Sequence, residues 1–129
     1  MSYIGENTDR RLALVPGVNL AATGQTTLFQ VPSGKKCVIT DVRLEVATSN
    51  AVISVASIRV GKSSTYDQWL PITVLTNLDA NGEFVSLNNA VNMLVRQAFN
   101  SNDAVKLDVT TAAVATALTA NVHVFGYTY

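Results

Sequence analysis

Short runs of alternating apolar and polar residues dominate the chain from residue 26 to its end. The clearest run is Cys37 to Ala47, where Val38, Thr40, Val42, Leu44 and Val46 share one side and Ile39, Asp41, Arg43 and Glu45 share the other. A period of two belongs to a half-buried strand, and the charged side predicts a face in water. Leu118, Ala120, Val122 and Val124 alternate in the same way with Thr119, Asn121, His123, Phe125 and Tyr127. Thr26–Val31, Phe84–Leu87, Asn92–Arg96 and Val105–Val109 read as further strands, and Val52–Val60 as a strand partly apolar on both sides. Trp69–Leu75 contains Pro71, which cannot donate to a ladder, so it predicts an edge strand, a bulge or a non-strand segment. Pro32-Ser33-Gly34-Lys35, Thr48-Ser49-Asn50 and Asn81-Gly82 mark turns, and Gly61–Gln68 reads as a polar loop. About eight short strands without a sustained helical period predict an all-β fold, an antiparallel β-sandwich of jelly-roll type. Val91–Phe99 fits a strand or a short helix equally well.

Residues 1–25 have a different texture, with Gly5, Pro16, Gly17 and Gly24, a polar Glu6-Asn7-Thr8-Asp9 and no sustained alternation. They predict an extended N-terminal arm over 1–25, with one short strand near Leu12–Val15, ahead of a β-sandwich domain over 26–129. Leu12, Leu14, Val15, Val18 and Leu20 are too apolar for a free tail. An arm laid on a neighbouring subunit would account for them, which makes them candidate partner-binding residues.

Composition sharpens this picture. The chain has 18 Val, 14 Thr and 5 Ile, all stiff at χ1 and suited to strands, and only four Lys and three Glu to fill helix surfaces. Nine basic and nine acidic residues give a net charge of zero, so no basic excess is available to neutralise nucleic-acid phosphates. One Cys excludes an internal disulfide and a Cys-based zinc site, and one His excludes His-pair metal motifs. The apolar runs are far shorter than the roughly 18 residues of a spanning helix. Leu12-Ala13-Leu14-Val15 ends at Pro16-Gly17, short of the roughly seven residues that a signal peptide needs. The expectation is a chain made in a host cytoplasm without a signal peptide, with no membrane partner. Only 14% of residues are charged, which suits a surface covered by copies of itself or by a partner.

Candidate chemistry is sparse. Asp79-x-Asn81-Gly82-Glu83 places oxygen ligands at alternate positions, but it lacks the span and distal Glu of a calcium loop and reads as a hairpin turn. Gly61-Lys62-Ser63-Ser64 lacks the first Gly of a phosphate-binding loop. His123 has no nucleophile motif to serve, and Cys37 reads as a buried inert thiol despite Lys35 and Lys36 beside it. Asp41 and Glu45 lie ~13 Å apart along a strand, too far for a glycosidase pair. No catalytic residue, metal site or cofactor is therefore expected. Tyr66, Asp67 and Trp69 form a candidate ligand or contact loop; Trp69 reads either as part of an aromatic platform or as an anchor in the core.

One resemblance covers most of residues 26–129. Thr26-Thr27-Leu28-Phe29-Gln30-Val31-Pro32-Ser33-Gly34-Lys35-Lys36 followed by Val38-Ile39-Thr40-Asp41-Val42-Arg43-Leu44 resembles the opening of small virion accessory proteins of tailed bacteriophages. Ile58-Arg59-Val60-Gly61, Ser64-Thr65-Tyr66-Asp67 and Val122-His123-Val124-Phe125-Gly126-Tyr127 resemble later segments of the same proteins. The group includes capsid decoration (cement) proteins, head fibres and tail accessory proteins. The resemblance implies a β-sandwich and an oligomer, often a homotrimer. It also implies a structural, non-enzymatic place in the virion, on the major capsid protein or another virion protein. The competing expectation is a carbohydrate- or receptor-binding module of a tail fibre or spike, using the Tyr66–Trp69 loop.

Overall fold

A computed structural model describes residues 10–87 and 98–129. The strands are β1 (Arg10–Asn19), β2 (Gly24–Gln30), β3 (Cys37–Asn50), β4 (Ser57–Lys62), β5 (Thr65–Val74), β6 (Phe84–Ser86), β7 (Ala104–Thr111) and β8 (Ala117–Thr128). They form two four-stranded sheets, in the orders β1-β8-β3-β6 and β2-β7-β4-β5. Every pairing is antiparallel. Successive strands switch sheets except at the β4–β5 hairpin, and this is the jelly-roll order. The strand expected over Asn92–Arg96 and the ambiguous Val91–Phe99 lie outside the described residues, apart from the last two positions of the latter.

The core sits between the sheets and is built by alternation. Leu118, Ala120, Val122 and Val124 of β8 are all buried, as their period of two predicts, and they meet Val105, Leu107 and Val109 of β7 in one cluster. Trp69 and Phe99 are the largest fully buried side chains. Trp69, on β5, donates its indole N–H to the Ile39 carbonyl on β3 at 2.8 Å, so one hydrogen bond ties the two sheets through the core. Phe99 exchanges backbone hydrogen bonds with Cys37 at 2.8 and 2.9 Å.

Two β-bulges correct the reading of β3. The register slips between Ile39 and Asp41 and again between Val46 and Thr48. The extra residue at Thr40 reverses the phase of the strand, because side chains alternate with a strict period of two. Cys37 and Ile39 therefore face the core before the bulge, and Val42, Leu44 and Val46 face it after. Ile39 was expected beside Asp41 on the wet side and is instead buried. Asp41 does stand on the outer face but is buried too, because Arg43 Nε and Ser86 Oγ cover it with hydrogen bonds of 2.7 and 2.8 Å. Gly126 is opposite this irregularity, and any Cβ there would strike the Val38 carbonyl.

Other boundaries differ as well. Strand β4 begins only at Ser57, and residues 51–56 form a connection bridged to Val114 through Ser54. Gly61–Gln68 is a tight hairpin, with Ser63 and Ser64 between paired Lys62 and Thr65. Polar side chains hid it because an edge strand such as β5 is held by its backbone. The close approach also needs Gly61, where a Cβ would meet the Thr65 carbonyl. Pro71 is on that edge strand and beside a register shift, so two of its three expected readings hold together.

Candidate interaction surface

The N-terminal candidates divide sharply. Residues 10–19 are β1, paired along β8, and residues 1–9 lie outside the described residues. Val18 and Leu20 are core residues, and Leu12 and Val15 pack against the core. Leu20 is locked by backbone bonds to Leu118 and Ala113 at 2.9 and 2.8 Å. Packing within the chain thus accounts for four of the five apolar side chains, and Leu14, 44% exposed, is the one that faces outward.

The Tyr66–Trp69 loop is likewise divided. Trp69 is fully buried, so its ring has no free face and cannot serve as a stacking platform. Tyr66 is half-buried beneath Arg59, whose guanidinium carbon lies 5.2 Å from the ring centroid. Arg59 pairs in turn with Asp108 at 2.7 Å across β4 and β7. Of the three residues only Asp67 is exposed.

Exposure instead gathers at one edge of the sandwich, where, among the described residues, β5 and β6 are the last strands of their sheets. Ile72 and Val74 on β5 are 61% and 57% exposed, and Phe84 on β6 is 72% exposed. Between these strands runs a groove lined by Thr73, Val74, Leu75, Thr76, Val85, Ser86 and Leu87. A second groove opens on the outer face beside β6, among Arg43, Leu44, Glu45, Phe84, His123 and Phe125. Both were missed by sequence reasoning. Pro71 did signal an edge, and Asn81-Gly82 did signal a turn just before Phe84, but neither says that two edge strands from different sheets lie side by side. A smaller apolar spot joins Ile53 and Val114, exposed on two loops at one end of the sandwich.

The remaining candidates are chemically quiet. Cys37 is fully buried, and burial pushes its thiol up to about 11, which keeps it protonated and unreactive at neutral pH. Glu83 turns its carboxylate back on its own loop, accepting the backbone N–H groups of Asp79 and Ala80 at 2.9 and 2.8 Å. The Asp79–Glu83 segment is therefore a self-capped turn. Among the described residues no group of three His, Cys, Asp or Glu could hold a metal, and no helix is long and apolar enough to cross a membrane.

No family model matches the chain, and no curated protein matches it in sequence. Its fold does have counterparts among solved structures. A chain in the acid-stable capsid structure of Helicobacter pylori bacteriophage KHP30 is similar with a TM-score of 0.61 at 20% identity, over 95% of this chain and 90% of that one. A chain in the cyanophage Pam1 capsid asymmetric unit is similar with a TM-score of 0.60 at 15% identity, over 98% of this chain and 89% of that one. At these identities the likeness is one of fold, and it extends over nearly the whole sandwich.

Proposed function

We propose that the chain is a non-enzymatic structural protein of a phage virion. Within the virion we assign it the role of a capsid decoration (cement) protein, a homotrimer bound to the major capsid protein or another head protein. The observation that carries this reading is the chain-long likeness in fold to chains inside two phage capsids. The surface supports it. Ile72, Val74 and Phe84 give a neighbour apolar area to cover at one edge. Arg43, Arg59 and Lys62 are each paired with an Asp of the same chain, so covering these faces strands few charges. In this reading the N-terminal arm contributes through residues 1–9 and the outward Leu14.

Cryo-microscopy of the particle tests the assignment: density for the chain on the head is expected, and a place in the tail overturns the decoration role. Light scattering is expected to give three times the 13.8 kDa chain mass, and a monomer removes the trimer. A chain shortened to begin at Arg10 keeps β1 and the core, so it should fold and bind the particle more weakly. Unchanged binding takes the arm out of the proposal.

A further inference from the structure

We propose that the groove on the outer face of the first sheet, beside β6, is a receptor for one arginine side chain of a partner protein. This goes beyond the decoration reading and does not rest on it. The groove has a volume of ≈ 330 Å³. Its two aromatic rings are in different states. Phe125 is already covered by Arg43, whose guanidinium carbon lies 4.7 Å from the ring centroid, whereas Phe84 is 72% exposed. Its charges differ in the same way. Arg43 is matched by Asp41 at 2.7 Å. The Glu45 side chain is 51% exposed, and its one ion-pair contact among the described residues, to His123 Nε2, is at 4.0 Å, the far limit for such a pair.

The register makes these two free groups neighbours. Glu45 of β3 lies directly opposite Phe84 of β6, so the uncovered carboxylate and the uncovered ring stand side by side on one face. A ring face attracts a cation, and a carboxylate beside it supplies the counter-charge. Asp41 lies beneath the groove and already matches Arg43, so of the lining residues, His123 among them, Glu45 carries the charge left over, and the groove favours a positive guest over a negative one. Arginine fits better than lysine, because a flat guanidinium can stack on the ring and present its N–H edge to the carboxylate together. The chain builds this arrangement twice from its own residues. Arg43 lies over Phe125 with Asp41 as counter-charge, and Arg59 lies over Tyr66 with Asp108 as counter-charge. Glu45 and Phe84 are a third carboxylate–ring pair, and the arginine is the missing member.

The test is a titration of the full isotope-labelled chain, followed by NMR, with N-acetyl-arginine amide. Its uncharged analogue N-acetyl-citrulline amide and N-acetyl-glutamate amide serve as comparisons. Saturable shifts are expected with the arginine probe at residues 43–45, 84–86 and 123–125, and with neither of the others. Glu45→Gln and Phe84→Leu alter exposed side chains, so the rest of the spectrum should stay in place while each weakens binding by about fivefold or more. The proposal is overturned by no shifts at these residues, by equal binding of citrulline, by preference for the glutamate probe, or by unchanged binding in Glu45→Gln.

Discussion

The two edges of the sandwich both carry large aliphatic residues and do opposite things with them. At one edge β1 runs through residues 20–23 into β2, and its apolar side chains other than Leu14 turn inward: Val18 and Leu20 are buried, and Leu12 and Val15 pack on the core. At the other edge β5 and β6 are joined through residues 75–83, β6 is three residues long, and Ile72, Val74 and Phe84 turn outward. The first edge is sealed by the chain itself, and the second leaves Ile72, Val74 and Phe84 exposed. Valine is therefore a packed side chain at one edge, as Val15 and Val18, and an exposed one at the other, as Val74.

The largest expected effect breaks the sealed edge. Leu20 is fully buried and bonded through its backbone to both Leu118 and Ala113. Leu20→Ala leaves a cavity where β1 turns into β2 and should cost about 2–5 kcal/mol of stability in urea unfolding. A loss under about 1 kcal/mol would mean that the edge can collapse or detach without consequence, and the contrast between the edges would fail.

Next comes the internal tie of the open edge. Trp69 of β5 reaches across the core to the Ile39 carbonyl, at the bulge of β3. Trp69→Phe keeps most of the apolar volume but leaves that buried carbonyl without its indole partner, at a cost of about 1–3 kcal/mol. The hydrogen bond is one tie between this edge and the opposite sheet, beside the packing of Trp69 and Leu70 in the core. A neutral substitution would assign that work to packing alone.

What the sequence makes legible follows from this division. Strand β8 could be read residue by residue, because Leu118–Val124 alternates without interruption and both its neighbours in the sheet pair along it. Strand β3 could be located but not phased, because nothing in Thr40 itself announces a bulge, and one added residue inverts every facing before it. The candidate residues suffered most. Leu12, Val15, Val18 and Leu20 read as an arm laid on a neighbouring subunit because residues 1–25 show no sustained alternation, and the register of β1 does shift between Val15 and Val18. Conversely, Glu45 and Phe84 are 39 positions apart, and only the pairing of β3 with β6 makes them one site.

Smaller in stability, but sharper on function, is the outer side of the open edge. Ile72→Thr and Val74→Thr change exposed side chains on a strand with its neighbour β4 intact, so each should move stability by no more than about 0.5 kcal/mol. If this edge is the surface that other proteins cover, the paired variant should show weaker self-association by light scattering or weaker particle binding. Full retention of both would move the contact surface elsewhere, with the Ile53–Val114 spot the next to test.

The smallest expected effect concerns the loop that joins the two strands of the open edge. Glu83 accepts the Asp79 and Ala80 N–H groups, and these hydrogen bonds hold its carboxyl below the ordinary value of 4.5. A carboxylate whose pKa is lower in the folded chain than in the unfolded one favours folding above the unfolded value. That contribution fades as the pH falls through the folded value. The Glu83 cap should therefore contribute fully at neutral pH, begin to weaken once the pH drops below 4.5, and vanish below the folded pKa. Glu83→Ala removes the cap at every pH, so the gap in urea midpoint between the variant and the parent chain should close on acidification. A gap that stays constant from about pH 7 to about pH 3 would mean that the carboxylate's charge is irrelevant to the loop. The turn leading into Phe84 would then be held by its backbone alone, through the Gly82 N–H to the Val46 carbonyl and the Val46 N–H to the Glu83 carbonyl.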